Sequence, residues 1–329
     1  MDWSLIFTQA LGAAVGLNAI LFALAAIGLN IHFGYTGLLN FGQVGFIAVG
    51  AYGLAISVST FGWSAWVGLL IGTGLGVLLA LLLGIPTLRL RADYLAIVTI
   101  AASEIIRFTL GSVAFRDISG GSSGLQQFSG EIRAINPLAA GNYAIGPLTY
   151  TANQLFVLVV GWVVVALFTF SVYSTMRSPW GRVLKSIREA EDAATSLGKS
   201  VYAFKLQSLV YGGLAAGLGG IIVAVGVDSV SPQNYMTPIT FFAYLALILG
   251  GTARVFGPIL GSMIFWMLLS LTDTILRQAI GQGYIPTWLM TSTQVGQVRF
   301  MMVGLGLMLL MIYRPQGILG DRREMELDA

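Results

Sequence analysis

Long apolar stretches separated by short polar breaks run through almost the whole chain of 329 residues. A helix that crosses a bilayer needs roughly 20 apolar residues, because each residue rises about 1.5 Å through a core about 30 Å thick. The pattern predicts an all-α, polytopic membrane helical bundle that forms one domain over 1–329. The stretch at 237–252 is short, and we expect it to be tilted or broken. The predicted spans are 10–31, 37–58, 63–88, 94–111, 154–175, 206–226, 237–252, 255–276 and 296–313.

One charged segment, 177–205, separates the two apolar halves. Ser178 and Pro179 suit a helix start, because Ser accepts from free N–H groups and Pro tolerates the first helical position. Gly198 suits a helix end. The spacing of apolar residues predicts one amphipathic helix between these marks, too charged to cross a bilayer. Its predicted apolar face comprises Val183, Ile187, Ala190, Ala194 and Leu197.

The charges of this segment indicate which side of the membrane it occupies. Six basic residues stand against three acidic ones, and basic loops stay on the cytoplasmic side. Alternating the spans from there predicts an external amino terminus, an external loop at about 112–153 and a cytoplasmic tail at 314–329. Twelve basic residues then lie inside, four lie outside, and Arg107 lies within a span. The inside set is Arg89, Arg91, Arg177, Arg182, Lys185, Arg188, Lys199, Lys205, Arg254, Arg314, Arg322 and Arg323, and the outside set is Arg116, Arg133, Arg277 and Arg299.

Composition supports the membrane prediction and argues against an enzyme. The chain is 56% hydrophobic and 9% charged, with a mean hydropathy of +0.83, too little polar surface for a soluble protein of this size. With no Cys and one His, neither a nucleophile with its base nor a metal cluster can be assembled credibly. The amino terminus lacks the basic region of a cleaved signal peptide, so we expect its first apolar segment to be retained.

The run AATSLGKS at 193–200 ends like a phosphate-binding loop. Ala193, however, stands where such a loop needs Gly, and no buried strand precedes it. We therefore expect this chain to bind no cofactor, and any ATP to be bound and hydrolysed by another chain.

A glycine-rich stretch at 34–46 is expected to interrupt a helix. Its four glycines and the amides of Asn40 and Gln43 make a poor lipid-facing helix. Irregular backbone at membrane depth is tolerated where protein or a water-filled cavity surrounds it. Two interpretations remain open: a break that lines a substrate pathway and a hydrogen-bonded kink. The pathway candidates are Gly37, Asn40, Gln43 and Tyr52.

A charged pair within a predicted span and a long external loop each suggest a functional role. Glu104 and Arg107 lie three residues apart within a predicted span, close enough to pair on one helix face. We favour a structural or gating pair over direct substrate contact. The loop at about 112–153 is rich in Gly, Ser and Pro, and a loop so long is uncommon unless functional or disordered. A docking surface for an extracytoplasmic partner and a flexible connector both fit.

Several short runs of sequence, spread over most of the chain, form an ordered set of motifs. They are GYTGLLNFGQ at 34–43, GAY at 50–52, LRADYLAIVT at 90–99, EIIR at 104–107, WGR at 180–182, IRE at 187–189, AA at 193–194, LG at 197–198, GGT at 250–252, GP at 257–258 and YRPQGILG at 313–320. In content and order these runs resemble the LivM-type permease subunits of bacterial branched-chain amino acid ABC transporters.

The resemblance implies a partly broken bundle in the bacterial cytoplasmic membrane that imports branched-chain or related small amino acids. It implies four partners: a second permease of the LivH type, two cytoplasmic ATPase subunits and an extracytoplasmic substrate-binding protein. The charged helix would then be the segment that engages the ATPases, with Arg182, Arg188, Glu189 and Gly198 as coupling candidates. The block at 188–194 reads REAEDAA and departs from the EAA pattern of other importers.

Two alternatives remain open at this stage. Closely similar permeases carry urea or short amides. An ion-coupled secondary carrier would place ionisable groups deep in its core, and here Glu104 with Arg107 is the one deep set that the sequence predicts.

Overall fold

The computed structural model describes residues 1–88, 92–284, 291, 293–314 and 316–320 of the chain. Within these residues the fold is a helical bundle with two small two-stranded sheets, as predicted. The main helices are α1 (Trp3–Val15), α2 (Leu17–Leu29, continued by a π-helix, Asn30–Tyr35), α3 (Gln43–Ser59), α4 (Ala65–Thr87), α5 (Ala92–Gly111), α6 (Ala152–Arg177), α7 (Pro179–Glu189), α8 (Glu191–Ser196), α9 (Val201–Val227), α10 (Pro238–Gly250), α11 (Gly257–Gly281) and α12 (Val295–Tyr313).

Seven helices in the described part of the chain are long and apolar enough to cross a membrane. They are α2 with its π-helix, α4, α5, α6, α9, α11 and α12. The predicted spans at 37–58 and 237–252 correspond to α3 and α10, which have 17 and 13 residues. At about 1.5 Å per residue, α10 reaches only about two thirds of the way across a bilayer core. It is therefore too short to cross the core alone, in line with the short stretch that was expected to be tilted or broken, and we call it the half-helix.

The bounds of the first predicted span, 10–31, are wrong, because the apolar helix that can cross the membrane runs from Leu17 to Tyr35. The backbone is extended at Gly16, and this break separates α1 from α2. Glycine supports a helix poorly, which permits the break at this position. α1 packs beside α11 instead of preceding α2 in line: the backbone N–H of Asp2 donates to Gln278 and Ser270 donates to the carbonyl of Gln9.

Close approach of helix backbones holds the centre of the bundle together. α3 packs against both α4 and α9, and α9 also packs against α2. A Cβ atom at Gly72 would lie 2.5 Å from the carbonyl oxygen of Gly50, so neither helix could approach so closely with a larger residue there. Such small-residue contacts drive helix association in lipid, where apolar burial no longer does.

The external-loop prediction at 112–153 corresponds to a folded cap on one end of the bundle, so it is not an unstructured connector. Its pieces are Val113–Phe115, Arg116–Ser119, Gly121–Ser123, β1 (Leu125–Gln126), Gly130–Ala134, β2 (Asn142–Ile145) and β3 (Leu148–Thr151). β2 and β3 form an antiparallel hairpin, and β1 pairs with β4 (Ser229–Val230), which precedes a short helix, Pro232–Tyr235.

Two acidic residues attach this cap to the bundle. Asp228, at the end of α9, accepts from the backbone of Ser129 and pairs with Arg133 at 3.3 Å. Glu131 accepts from the backbone N–H of Ala65 and the hydroxyl of Ser64 at the start of α4. These two hydrogen bonds, the one from the Ala65 backbone more than the one from Ser64, lower the pKa of Glu131 below its ordinary value.

The prediction of one continuous helix between Ser178 and Gly198 is wrong. Its start is confirmed, since Ser178 caps α7 by accepting from the backbone N–H of Trp180. The backbone then leaves the helical region at Ala190, and α8 starts with two acidic residues, which the positive end of a helix dipole favours. Gly198 ends α8 with a φ of +74°. The predicted apolar face therefore fails at Ala190 and Leu197, which are exposed.

Candidate functional site

The predicted break in the glycine-rich stretch is present. The helix formed by α2 and its π-helix ends at Tyr35, and α3 begins only at Gln43. Gly37 has a φ of +76°, a conformation that a side chain would strain, and the N–H of Leu38 returns to the carbonyl of His32. Residues 37–42 are thus non-helical backbone within the bundle.

Buried amides hydrogen-bond across this break. Asn40 and Gln43 are fully buried, and Asn40 Nδ2 donates to Gln43 Oε1 at 2.9 Å and to His32 Nδ1 at 3.2 Å. Since Nδ1 accepts, His32 is neutral, and its Nε2–H donates to the carbonyl of Leu209 in α9. Gln43 Nε2 donates to the carbonyls of Ala25 and Gly212. In this conformation the two amides form the hydrogen-bonded kink, and they are closed to solvent.

The half-helix α10 completes the contacts of the break. The Tyr244 hydroxyl donates to the carbonyl of Asn40 at 3.0 Å, and Thr240 accepts the backbone N–H of Val44 in the first turn of α3. Movement of α10 would therefore disturb both the non-helical break itself and the start of α3.

The fourth pathway candidate, Tyr52, lies elsewhere. It is buried on α3 and meets Tyr235 with ring centroids 5.9 Å apart. Its hydroxyl has no hydrogen-bond partner among the described residues. It does not belong to the network around Asn40.

The charged segment meets the break directly. Arg188 Nη1, on α7, donates to the carbonyl of Gly34 at 2.6 Å. A cavity of about 170 Å³ lies beside this contact, between the segment and the break. Its lining includes Gly37, Ile187, Glu191 and Lys205, and the last two pair at 2.7 Å. Arg188, Arg182 and Glu189 are all exposed, and Arg188 reaches the bundle through its guanidinium.

A second contact joins the same π-helix to α10. Asn30 Nδ2 donates to the carbonyl of Arg254, and Asn30 Oδ1 accepts the N–H of Ala253, both at 2.8 Å. Ala253 and Arg254 lie in the connection between α10 and α11. The π-helix therefore lies between the charged segment and the end of the half-helix.

The intramembrane pair is present as predicted. Arg107 approaches Glu104 Oε2 through Nε at 2.8 Å and Nη2 at 2.7 Å, a two-pronged contact. Thr237, one residue before α10, donates its hydroxyl to Glu104 Oε1. Both side chains are partly exposed, 29% for Glu104 and 18% for Arg107.

Four network residues were missed by the sequence reasoning: Asn30, His32, Thr240 and Tyr244. The first two carried a usable signal, because they are polar residues within an apolar run just before the glycine cluster. The other two lie about 200 residues along the chain from their partners, a separation that no local pattern reports.

Comparisons with known proteins fit this architecture. The family model described as "Branched-chain amino acid transport system / permease component" matches residues 13–313. No solved structure gave a significant match.

Three curated relatives illustrate the similarity. The high-affinity branched-chain amino acid transport system permease protein LivM of Escherichia coli is 30% identical over 310 residues, 91% of this chain and 68% of the relative. A probable branched-chain amino acid transport permease protein LivM of Methanocaldococcus jannaschii is 26% identical over 347 residues, 92% and 91% of the two chains. The nucleoside ABC transporter permease protein NupC of Lactococcus lactis is 25% identical over 256 residues, 76% of each. The chain, a multi-pass membrane protein, belongs to the permease component family of branched-chain amino acid transport systems.

Proposed function

We propose that this chain is the LivM-type permease subunit of a binding-protein-dependent ABC importer for branched-chain or related small amino acids. ATP is hydrolysed in two partner subunits, and this chain binds no cofactor itself. The names of the LivM relatives support the substrate class. The observation that carries the mechanism is the contact between Arg188 and the carbonyl of Gly34.

Charge at the two ends of the bundle supports an orientation in the bacterial cytoplasmic membrane. Among the described residues, the end with α7 and α8 carries eight basic residues and the capped end carries four. The basic end faces the cytoplasm by the positive-inside rule, and Met1, beside Gln282 at the far end of α11, faces outward. The described residues do not include Arg89, Arg91 or residues 321–329 of the tail, which contain Arg322 and Arg323. The basic end carries Arg177, Arg182, Lys185, Arg188, Lys199, Lys205, Arg254 and Arg314.

Coupling begins where the ATPases dock on the segment 177–205. Arg182 and Glu189 are exposed there and contact the ATPase, while Gly198 provides the turn that returns the chain to α9. Arg188 connects α7 to the π-helix, so displacement of α7 pulls on the carbonyl of Gly34.

The displacement then reaches the half-helix. Asn30 transmits it to the α10–α11 connection, and α10 carries Tyr244 and Thr240, which hold the break around Asn40. Gly37, Asn40 and Gln43 become pathway residues when this network opens, and Tyr52, which packs against Tyr235, is the fourth pathway residue in this proposal. ATP binding in the partners thus alternates access by shifting the bundle between two packings.

The other partners bind at other surfaces. The folded cap at 112–151 presents the docking surface for the extracytoplasmic substrate-binding protein. A second permease of the LivH type completes the transmembrane unit.

Uptake into proteoliposomes that contain the complete complex tests this function. We expect accumulation of a branched-chain amino acid that requires both ATP and the binding protein. Accumulation driven by an ion gradient alone, with neither ATP nor the binding protein, would show a secondary carrier instead.

Three other kinds of compound compete with amino acids as the proposed substrate: urea, short amides and nucleosides. The similarity to a nucleoside permease favours including nucleosides in the comparison. ATP-driven uptake of each labelled compound, measured separately, distinguishes these substrates. Accumulation of a nucleoside, urea or an amide, but not of leucine, would reassign the substrate and leave the ATP-driven mechanism intact.

A further inference from the structure

The outward face of α5 differs from those of two other long helices. α4 exposes only apolar side chains between Trp66 and Ile85, and α6 does so between Val159 and Phe170. α5 exposes Ile97, Ala101, Ile105 and Phe108 along one stripe, and the Glu104–Arg107 ion pair borders it.

The depth of this pair makes contact with lipid tails unfavourable. Glu104 lies seven residues from the end of α5, about 10 Å along the helix. A partly exposed ion pair at that depth is expensive in hydrocarbon, and such groups face protein or water. The α5 face is therefore covered by a second protein or by an aqueous pathway when the transporter is assembled.

The neighbouring segment extends the same surface. A Cβ atom at Gly111 would meet Pro232 at 3.6 Å, and Thr237 donates to Glu104, so 232–237 lies directly beside α5. This segment exposes polar and apolar side chains together, which suits a wetted wall better than a lipid contact. Over 232–241 the exposed residues are Gln233, Asn234, Met236, Pro238 and Phe241.

We infer that this face of α5, with the segment 232–241, lines the substrate pathway opposite the second permease, and that Glu104 and Arg107 bind a zwitterionic α-amino acid. The substrate carboxylate takes the place of Glu104 at the Arg107 guanidinium, and the substrate ammonium pairs with Glu104. The exchange replaces one ion pair by two and leaves no charge unpaired, which keeps the desolvation penalty low. This inference rests on the proposed function and specifies its substrate class.

Cysteine accessibility in the complete complex tests the location. The chain has no Cys, so each introduced thiol is unique within it, and labelling is measured on this chain after the subunits are separated. Ala101→Cys places a thiol one turn from Glu104, and Ala166→Cys places one on the exposed apolar face of α6 as a matched control. We expect a charged, water-soluble thiol reagent to label Ala101→Cys at least about tenfold faster, and the transported amino acid to slow that labelling. Equal rates, or labelling that substrate does not slow, would overturn the inference.

Neutralisation of the pair tests the chemistry. Glu104→Gln with Arg107→Gln should lower amino-acid uptake at least about tenfold, while ATP hydrolysis by the complex changes less than about twofold. The control is Arg277→Gln, which removes an exposed ion-pair partner on α11, leaves Asp273 paired with Arg299 and should leave uptake unchanged. Unchanged uptake after neutralising Glu104 and Arg107 would overturn the inference.

A charge swap covers the case in which the neutral variant fails to assemble. Glu104→Arg with Arg107→Glu keeps an ion pair at the same depth, so assembly and part of the uptake should return. Assembly with uptake restored in full, but without substrate protection at Ala101→Cys, would reduce the pair to a structural role. Failure of the wild-type complex to show ATP-driven uptake would instead refute the proposed function, so the two failures are distinguishable.

Discussion

Asn40 holds three groups in place at once. Its Nδ2 donates to Gln43 and to His32, and its Oδ1 accepts the N–H of Gly42 at 3.0 Å. All of these groups are buried, so losing one partner leaves others unsatisfied in a medium that cannot replace them. One side chain therefore stabilises the whole break between α2 and α3.

Asn40→Ala should lower the free energy of unfolding by about 1–3 kcal/mol, because the partners of the amide lose their hydrogen bonds. Thermal unfolding of the purified protein in detergent measures the change. Asn142→Ala, at an exposed position of the β2–β3 hairpin, is the control and should leave the melting temperature unchanged. Equal melting temperatures for the two variants would contradict the role given to Asn40.

Glu131 should make attachment of the cap depend on pH. Its pKa is lowered in the folded protein, so its stabilising contribution is complete above the ordinary value of 4.5 and is lost as the pH falls through the lowered pKa. At pH 7, Glu131→Gln should speed hydrogen exchange in the cap relative to the wild type. As the pH falls through the lowered pKa the two proteins should come to exchange alike, because the carboxylate becomes protonated. A difference that stays the same size throughout an acid titration would exclude the carboxylate as the cause.

Sequence reasoning found the residues of the break only in part. Asn40 and Gln43 stand out as amides among glycines, and their burial in an irregular segment follows from the need to satisfy polar groups in a membrane. Tyr244 and Thr240 look like ordinary residues of an apolar stretch. Their roles depend on how α10 is placed in three dimensions, which neither composition nor spacing specifies.

Helix ends were predictable where a residue type forces them. The break before Gln43 follows from clustered glycines, and the start of α7 follows from Ser178 and Pro179. The breaks at Gly16 and Ala190 did not follow, because a lone Gly is tolerated in many membrane helices and Ala is the best helix former. At Ala190, we attribute the break to the ion pair between Glu191 and Lys205 and to the acidic start of α8.

The close glycine contact between α3 and α4 predicts how substitutions in these helices affect stability. Gly72→Ala should destabilise the protein by about 1–3 kcal/mol, since the new Cβ would overlap the backbone of α3 at Gly50. Gly74→Ala, on the same helix, meets nothing within 4 Å and should be neutral or slightly stabilising. Thermal unfolding of the two variants gives the comparison. A Gly72→Ala protein as stable as Gly74→Ala would show that α3 and α4 are not in close contact.

The molecule as a whole is asymmetric along its long axis. One end carries the basic segment, the π-helix contact and the α10–α11 connection, and the other carries the folded cap. The predicted helical bundle and the family are confirmed. Both could be predicted because the apolar pattern and the ordered motifs extend over most of the chain. The path from α7 through the π-helix to α10 could not be predicted, since it joins residues more than 150 positions apart in sequence.

Arg188 gives the prediction that belongs to this scale. Arg188→Gln removes the guanidinium that contacts the carbonyl of Gly34, so the ATPases should continue to hydrolyse ATP while the bundle follows them poorly. Lys199→Gln, at an exposed turn of the same segment, is the matched control.

The most direct measurement is the number of amino-acid molecules taken up per ATP hydrolysed, in proteoliposomes that contain the complete complex. We expect Arg188→Gln to lower this ratio at least about fivefold and Lys199→Gln to leave it at the wild-type value. An unchanged ratio in Arg188→Gln would contradict the transmission of movement from the charged segment to the broken helix.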